Sequence, residues 1–174
     1  MKSNSDQTVS GDFEKLRQTE WLETNGLGGY ASSTVSGANT RRYHALLVAA
    51  THPPAGRTVM LSKLDETLVT GDQRIELGTN QYPGAVHPQG FHFLKNFQRN
   101  LFPTFTYDAA GITLKKTIAA IQGENTVVIV YEVISAPSKF KLELLPLGGY
   151  AKGNPKAPHL GSSHIVDDQN RKGN

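Results

Sequence analysis

The most prominent pair of carboxylates in the sequence is Asp65 and Glu66. Hydrolysis of a glycosidic bond needs two carboxyl groups about 5 to 10 Å apart, one on each side of the bond. Because adjacent residues of a strand point to opposite faces, these two could flank one oxygen only across a β-bulge. The other acidic residues fall mostly at turns or on polar strand faces. We therefore predict no catalytic residue within the chain.

Histidines, serines and glycines give no catalytic or cofactor signature. The six histidines show neither H-x-x-x-H nor H-E-x-x-H spacing, and the sequence contains no G-x-S-x-G elbow. Glycines at 26, 28 and 29 lack the third glycine of G-x-G-x-x-G, and no helix-forming run follows them. The sequence predicts no metal and no cofactor.

Residues 20–48 concentrate the most unusual chemistry of the chain. They hold the only tryptophan, Trp21, and a run of donors and aromatic rings at 40–44 that leads into an apolar strand. Arginine offers a planar fork of donors that suits carboxylates or sugar hydroxyls, and aromatic faces suit the apolar side of a sugar ring. In an extended segment these side chains would alternate between two faces. Alternatively, the arginines pair with Asp65 or Glu66 and merely hold strands together.

Composition bounds the class of protein. The 174 residues fit one domain with a substantial core, and the absence of cysteine excludes disulfides and thiolate zinc sites. The net charge of +3 is spread along the chain, which does not favour a nucleic-acid partner. The sequence shows no signal peptide and no apolar run long enough to span a membrane. We expect a cytoplasmic protein without a membrane partner.

Strands must position these residues. About ten short segments with alternating or β-branched residues, separated by turns, predict an all-β fold, a large antiparallel β-sandwich with little helix. Separate strands are predicted at 57–62 and 64–69, a long loop at 78–90 and an aromatic-rich strand at 91–97. The alternating residues of 102–107 and 112–118 predict a hairpin with its turn at 108–111, and the β-branched run at 126–134 predicts a further strand.

Three regions follow from the composition. We expect a flexible segment at 1–12, the sandwich domain at 13–147, and a polar tail at 148–174 that is either disordered or truncated.

Three stretches, 20–32, 40–49 and 57–66, resemble in sequence and order the N-terminal domain of bacterial and archaeal glycogen debranching enzymes of the amylo-α-1,6-glucosidase type. The similarity extends more loosely to about Leu147, after which the chain departs from the family pattern. The resemblance implies a supersandwich-like domain that precedes a helical (α/α) toroid. It places the catalytic carboxylates on that separate toroid.

The resemblance also implies a role. The domain would be non-catalytic alone, would pack on the toroid and would help position branched α-glucan, either glycogen or limit dextrin. The matching motifs supply stacking candidates, Trp21 and Tyr43, and polar candidates, Asn25, Arg41, Arg42, His44, Asp65 and Glu66.

Three alternatives stay open at this point. The motif residues could preserve the sheet and the domain interface without touching sugar. The chain could be a free-standing glycoside hydrolase or glucanotransferase that uses Asp65 with a distant carboxylate. It could also be a purely structural interaction sandwich.

Overall fold

The computed structural model describes residues 6–8, 11–53, 56–148 and 164–166 of the 174-residue chain. Over these ranges it is an antiparallel β protein with one short α-helix, α1 (Phe13–Gln18), and one 3-10 helix at Gly90–Phe93. The all-β prediction is confirmed.

The strands, in chain order, are β1 (Asp6–Thr8), β2 (Glu20–Thr24), β3 (Tyr30–Thr34), β4 (Ala45–His52), β5 (Gly56–Thr70), β6 (Gln73–Glu76), β7 (Thr79–Tyr82), β8 (Ala85–Gln89), β9 (Leu94–Arg99), β10 (Pro103–Ala109), β11 (Ile112–Ala120), β12 (Val127–Ser135), β13 (Lys141–Gly148) and β14 (His164–Val166).

Two large sheets and one small hairpin account for these strands. One sheet has five strands in the order β1-β9-β10-β11-β12, and the other runs β14-β13-β5-β4-β3-β2 with β6 also paired to β5. Strands β7 and β8 pair with each other. Residues from both large sheets share one hydrophobic core, in which Trp21 of β2 meets Phe105 of β10 with ring centroids 6.0 Å apart.

The alternation of side chains explains why β10 and β11 form this core. In β10 every second residue is buried, including Phe105 and Tyr107, and in β11 Ile112, Leu114 and Ile118 point the same way. A half-buried antiparallel strand requires this period of two. The hairpin predicted from the sequence at this point is confirmed.

The structure corrects three strand boundaries. Residues 56–70 form the single strand β5, not two strands. Residues 78–90 are not a long loop, because β7 and β8 form a hairpin there. Part of the predicted strand 91–97 is instead the 3-10 helix, which begins at Gly90, where a Cβ would lie 2.0 Å from Leu77 O. The two prolines and three glycines in 78–90 had suggested a loop, but this glycine serves a close backbone approach.

The terminal regions are described only in part. Residues 6–8, which fall within the expected flexible segment 1–12, pair with β9 as β1. Of the expected tail 148–174, the described part is residue 148 and residues 164–166, and the latter pair with β13. Residues 11 and 12 of the first region are also described, and Asp12 Oδ1 accepts from Glu14 N at 3.0 Å as the N-cap of α1. All other residues of the two regions lie outside the described residues. Among the described helices, none has the length and apolar character needed to cross a membrane.

A buried ion pair joins the two large sheets. Lys116 of β11 donates to Glu66 of β5, and Tyr131 Oη of β12 donates to the same carboxylate at 2.6 Å. The side chains of Glu66 and Lys116 are 5% and 9% exposed. Burial raises the pKa of Tyr131 well above its ordinary value, and the neighbouring Glu66 charge adds to that shift. Tyr131 therefore remains a neutral hydrogen-bond donor.

Replacing Lys116 by methionine should destabilise the protein strongly, because it leaves the Glu66 carboxylate buried without its cation. We expect a loss of about 3–5 kcal/mol in the free energy of unfolding, measured by urea denaturation. The double variant Glu66→Leu/Lys116→Met should recover much of this loss, since it removes both charges.

The neighbouring Lys115 provides the matched control. Its Nζ lies 3.1 Å from Glu132 Oε2 on the exposed side of the sheet. Lys115→Met should cost no more than about 1 kcal/mol, the usual value of an exposed ion pair. Equal losses for the two single variants would contradict the bridging role of Lys116.

Candidate functional site

The glycine-rich turn between β2 and β3 is built around Asn25. This side chain is 2% exposed, and its Oδ1 accepts hydrogen bonds from Leu27 N at 3.0 Å and from Gly29 N at 2.9 Å. A Cβ at Gly29 would lie 2.6 Å from Asn25 Nδ2 and 2.8 Å from Val48 O. Only glycine fits there, so the interior of the protein fixes the shape of the turn.

Asn25 also ties this turn to the other large sheet. Its Nδ2 donates to Glu124 O at 2.7 Å, and its backbone oxygen accepts from Gly123 N at 2.7 Å. In the same β11–β12 connection, Asn125 Oδ1 accepts from Ala50 N at 2.8 Å and Asn125 Nδ2 donates to Ala50 O at 3.0 Å. The glycine turn, β4 and the β11–β12 connection therefore form one hydrogen-bonded unit.

Residues 41–44 form a turn before β4, in which His44 N donates to Arg41 O at 3.1 Å. The segment is therefore not extended, and the alternation of faces that an extended segment would show does not apply here. Arg41 Nε donates instead to Glu20 Oε1 on β2 at 2.6 Å. The alternative pairing of Arg41 with Asp65 or Glu66 is therefore also wrong.

His44 is the buried member of this turn. Its Nδ1 accepts from Thr40 N at 3.2 Å, and its Nε2 lies 3.7 Å from Glu20 Oε1. Burial lowers the pKa of His44 below its ordinary value, while the Glu20 carboxylate opposes the shift and Arg41 adds to it. Because Nδ1 accepts a hydrogen bond, the proton of the neutral ring lies on Nε2, towards Glu20.

An open groove of about 800 Å³ is lined by β2, the glycine turn, the start of β3 and the 41–44 turn. One wall contains two arginine–tyrosine pairs. The Arg57 guanidinium carbon lies 6.0 Å from the centre of the Tyr30 ring, and that of Arg42 lies 5.5 Å from the centre of the Tyr43 ring. Tyr30 Oη donates to Tyr43 O at 3.3 Å, which links the pairs. Half of Tyr43, 52%, is exposed.

Arg57 and Arg99 are also held by hydrogen bonds to backbone oxygens of the glycine turn and of β2. Arg57 Nε donates to Gly28 O at 2.7 Å, and Arg99 Nη2, from the end of β9, donates to Leu22 O at 2.8 Å. Each of these bonds uses one of the five N–H groups of a guanidinium. The groove thus receives arginines from both large sheets, and we call it the arginine groove.

Four charged or aromatic residues of the arginine groove were not singled out from the sequence: Glu20, Tyr30, Arg57 and Arg99. The first three lie within the stretches 20–32 and 57–66, so membership of those motifs was the signal that could have found them. Arg99 lies outside all three stretches, and only the packing of β9 near β2 brings it to the groove.

Of the eight sequence candidates, Arg41, Arg42, Tyr43 and His44 come together in the arginine groove. Trp21 forms part of its floor but is 3% exposed and packs against Phe105. Its assignment as a stacking residue is wrong, because a ring so deeply buried has no free face to offer a sugar.

Asn25, Asp65 and Glu66 do not line the arginine groove. The Asn25 side chain is hydrogen-bonded to the backbone of its own turn, and the Glu66 side chain lies between the two large sheets. Lys63 Nζ lies 2.9 Å from Asp65 Oδ1 and donates to Thr79 O at 2.5 Å, which places this pair against the β7–β8 hairpin. Burial lowers the pKa of Lys63, and the Asp65 carboxylate opposes that shift. Their positions support structural roles.

Among the described residues that line the arginine groove, the one carboxylate is Glu20, and that group is paired with Arg41. Over the residues that the structure describes, no group of three or more His, Cys, Asp or Glu side chains could hold a metal ion. The groove is suited to binding through guanidinium donors and aromatic rings.

Comparison with protein-family models matches residues 19–152 to the N-terminal domain of glycogen debranching enzymes. This span covers well over half of the chain and includes every residue that lines the arginine groove. The chain belongs to this family, and the resemblance noted in its sequence is confirmed. Neither curated proteins nor solved structures gave a match.

The low pKa of His44 should make stability depend on pH. Because the unfolded chain binds a proton more readily at this position, the free energy of unfolding should fall as the pH drops through the ordinary histidine pKa of about 6.5. The amide oxygen of His44→Asn keeps an acceptor for Thr40 N. In this variant the free energy of unfolding should fall less between about pH 7 and about pH 5. Urea denaturation at several pH values measures the free energy of unfolding.

His92 provides the control, since it is an exposed histidine that contacts Gln89. His92→Asn should keep the pH dependence of the unchanged protein. An identical dependence in His44→Asn and His92→Asn would show that His44 is not the group responsible.

Proposed function

We propose that this chain acts as the accessory N-terminal domain of a glycogen debranching enzyme. It is non-catalytic alone, binds branched α-glucan in the arginine groove and packs on a separate helical toroid that carries the catalytic carboxylates. The observation that carries the proposal is that the family match and the arginine groove coincide: the motifs at 20–32, 40–49 and 57–66 supply most of the groove lining.

The chemistry of the groove supports contact with sugar. Tyr43 presents a half-exposed ring, and a glucose ring can lay its apolar side against such a face. Arg42 and Arg57 beside the two tyrosine rings offer donors for sugar hydroxyls. An open groove of this size suits a chain of several glucose units better than a single enclosed one.

The positions of the carboxylates support a non-catalytic role. Glu66 is held by Lys116 and Tyr131 between the sheets, Asp65 by Lys63, and Glu20 by Arg41. A glycosidase needs one carboxyl group that holds a proton and a second that attacks or activates water. Carboxylates locked to cations serve neither purpose well, so cleavage would fall to the toroid.

Tyr43→Ala should weaken binding of maltoheptaose to the purified chain about tenfold, the effect expected when a stacking ring is lost. Isothermal titration calorimetry measures the affinity. Tyr82→Ala is the matched control, because Tyr82 is similarly exposed at 55% but lies on the β7–β8 hairpin.

Two outcomes would contradict the proposal. Equal loss of binding in Tyr43→Ala and Tyr82→Ala, or no binding by a folded chain that still associates with a separately made toroid, would remove the sugar-contact role. Release of glucose from a branched limit dextrin by the chain alone, abolished in Asp65→Asn, would replace it with the glycosidase alternative.

A further inference from the structure

The lining of the arginine groove has an unusual balance of charge. Of the seven arginines in the sequence, four line it, namely Arg41, Arg42, Arg57 and Arg99, whereas none of the seven lysines that the structure describes does. The one carboxylate among the described lining residues, Glu20, is paired with Arg41. With His44 neutral, the lining carries a formal charge of +3.

Such a lining offers more positive charge than a neutral sugar can use. A glucose hydroxyl both donates and accepts hydrogen bonds, whereas a guanidinium only donates. One oxygen of the Glu20 carboxylate already accepts from Arg41 Nε at 2.6 Å. A ligand that brings acceptors and negative charge, in addition to an apolar face for Tyr43, therefore matches this lining more fully than a neutral sugar does.

We propose that the arginine groove binds a phosphate monoester carried on a glucose unit. This inference rests on the proposed binding of α-glucan and names the form of sugar that the groove prefers. At neutral pH a phosphate monoester has a charge of about −1.5 to −2 and three strong acceptor oxygens. The planar fork of arginine suits phosphate geometry better than a lysine ammonium does.

The layout of the wall fits such a ligand. The Arg57–Tyr30 and Arg42–Tyr43 pairs lie next to each other, joined by the 3.3 Å contact between Tyr30 Oη and Tyr43 O. A sugar ring against Tyr43 therefore has guanidinium groups beside it that can receive a phosphate. A volume of about 800 Å³ lies within the range of small-molecule sites.

The site can be read out by the protein's own fluorescence. Trp21 is the only tryptophan and forms part of the groove floor, so a ligand in the groove changes the surroundings of a single reporter. The full chain would be titrated with maltoheptaose, maltoheptaose carrying one 6-phosphate, glucose 6-phosphate, inorganic phosphate and a glutamate-rich peptide, with calorimetry as a second measurement.

The phosphorylated heptaose should bind at least about tenfold more tightly than maltoheptaose, the value of one good charge-assisted contact. This advantage should shrink as salt is raised. Arg42→Gln and Arg57→Gln should each remove most of it. Arg42 is the safer change for folding, since its guanidinium stacks on a ring at an exposed turn. Arg74→Gln, which removes an exposed arginine paired with Glu143 outside the groove, should leave it unchanged.

The five ligands distinguish the possible sources of phosphate. They also separate failure of this inference from failure of the proposed function. Glucose 6-phosphate that binds as tightly as the phosphorylated heptaose supports a site for the ester itself on a free sugar. Equal affinities for neutral and phosphorylated heptaose overturn this inference and leave glucan binding intact. This inference is also overturned if inorganic phosphate or the acidic peptide is the ligand that binds most tightly. Absence of binding by every sugar overturns both this inference and the proposed function.

Discussion

The hydrogen bonds of Asn25 are the constraint on which the arginine groove depends. One buried side chain fixes the glycine turn through Leu27 N and Gly29 N, and it fastens that turn to the β11–β12 connection through Glu124 O. Asn125 then holds the same connection to β4. The turn supplies Gly28 O, to which Arg57 is bonded, so the position of a groove arginine follows from an asparagine in the interior.

Trp21 separates two kinds of charged environment. On one side lies the open arginine groove, and on the other a cavity of about 40 Å³ whose lining includes Lys63, Glu66 and Lys116. In the interior, cations and carboxylates are matched and serve to join strands. In the groove, cations outnumber carboxylates and face solvent. This division explains why motif residues close in sequence have separate roles.

Much of the fold could be predicted from the sequence because its strands carry clear local signals. The alternation in 102–107 and 112–118 and the β-branched run at 126–134 place β10, β11 and β12 to within two residues at each end. The β7–β8 hairpin was missed because its prolines and glycines resemble a loop. Lys63, which holds that hairpin through Thr79 O, gives no signal until the two segments meet.

The candidate site was predictable only in part, for a similar reason. Residues 41–44 stood out by type and do line the groove. The partner of Arg41 was not apparent, because Glu20 is distant in sequence and reaches it only when β2 and the 41–44 turn are folded together. The burial of Trp21, Asn25 and Glu66 is a property of the two-sheet packing, which residue type does not encode.

The measurement that tests the account most directly is a ¹H–¹⁵N NMR titration of the full chain with maltoheptaose, because it locates binding residue by residue. The account predicts that the largest shift changes fall on the backbone amides of Gly28, Tyr30, Arg42 and Tyr43, with little change along the exposed side of β12 at Val128 and Val130. Changes centred on β12, or on the β7–β8 hairpin, would contradict the assignment of the arginine groove as the glucan-binding surface.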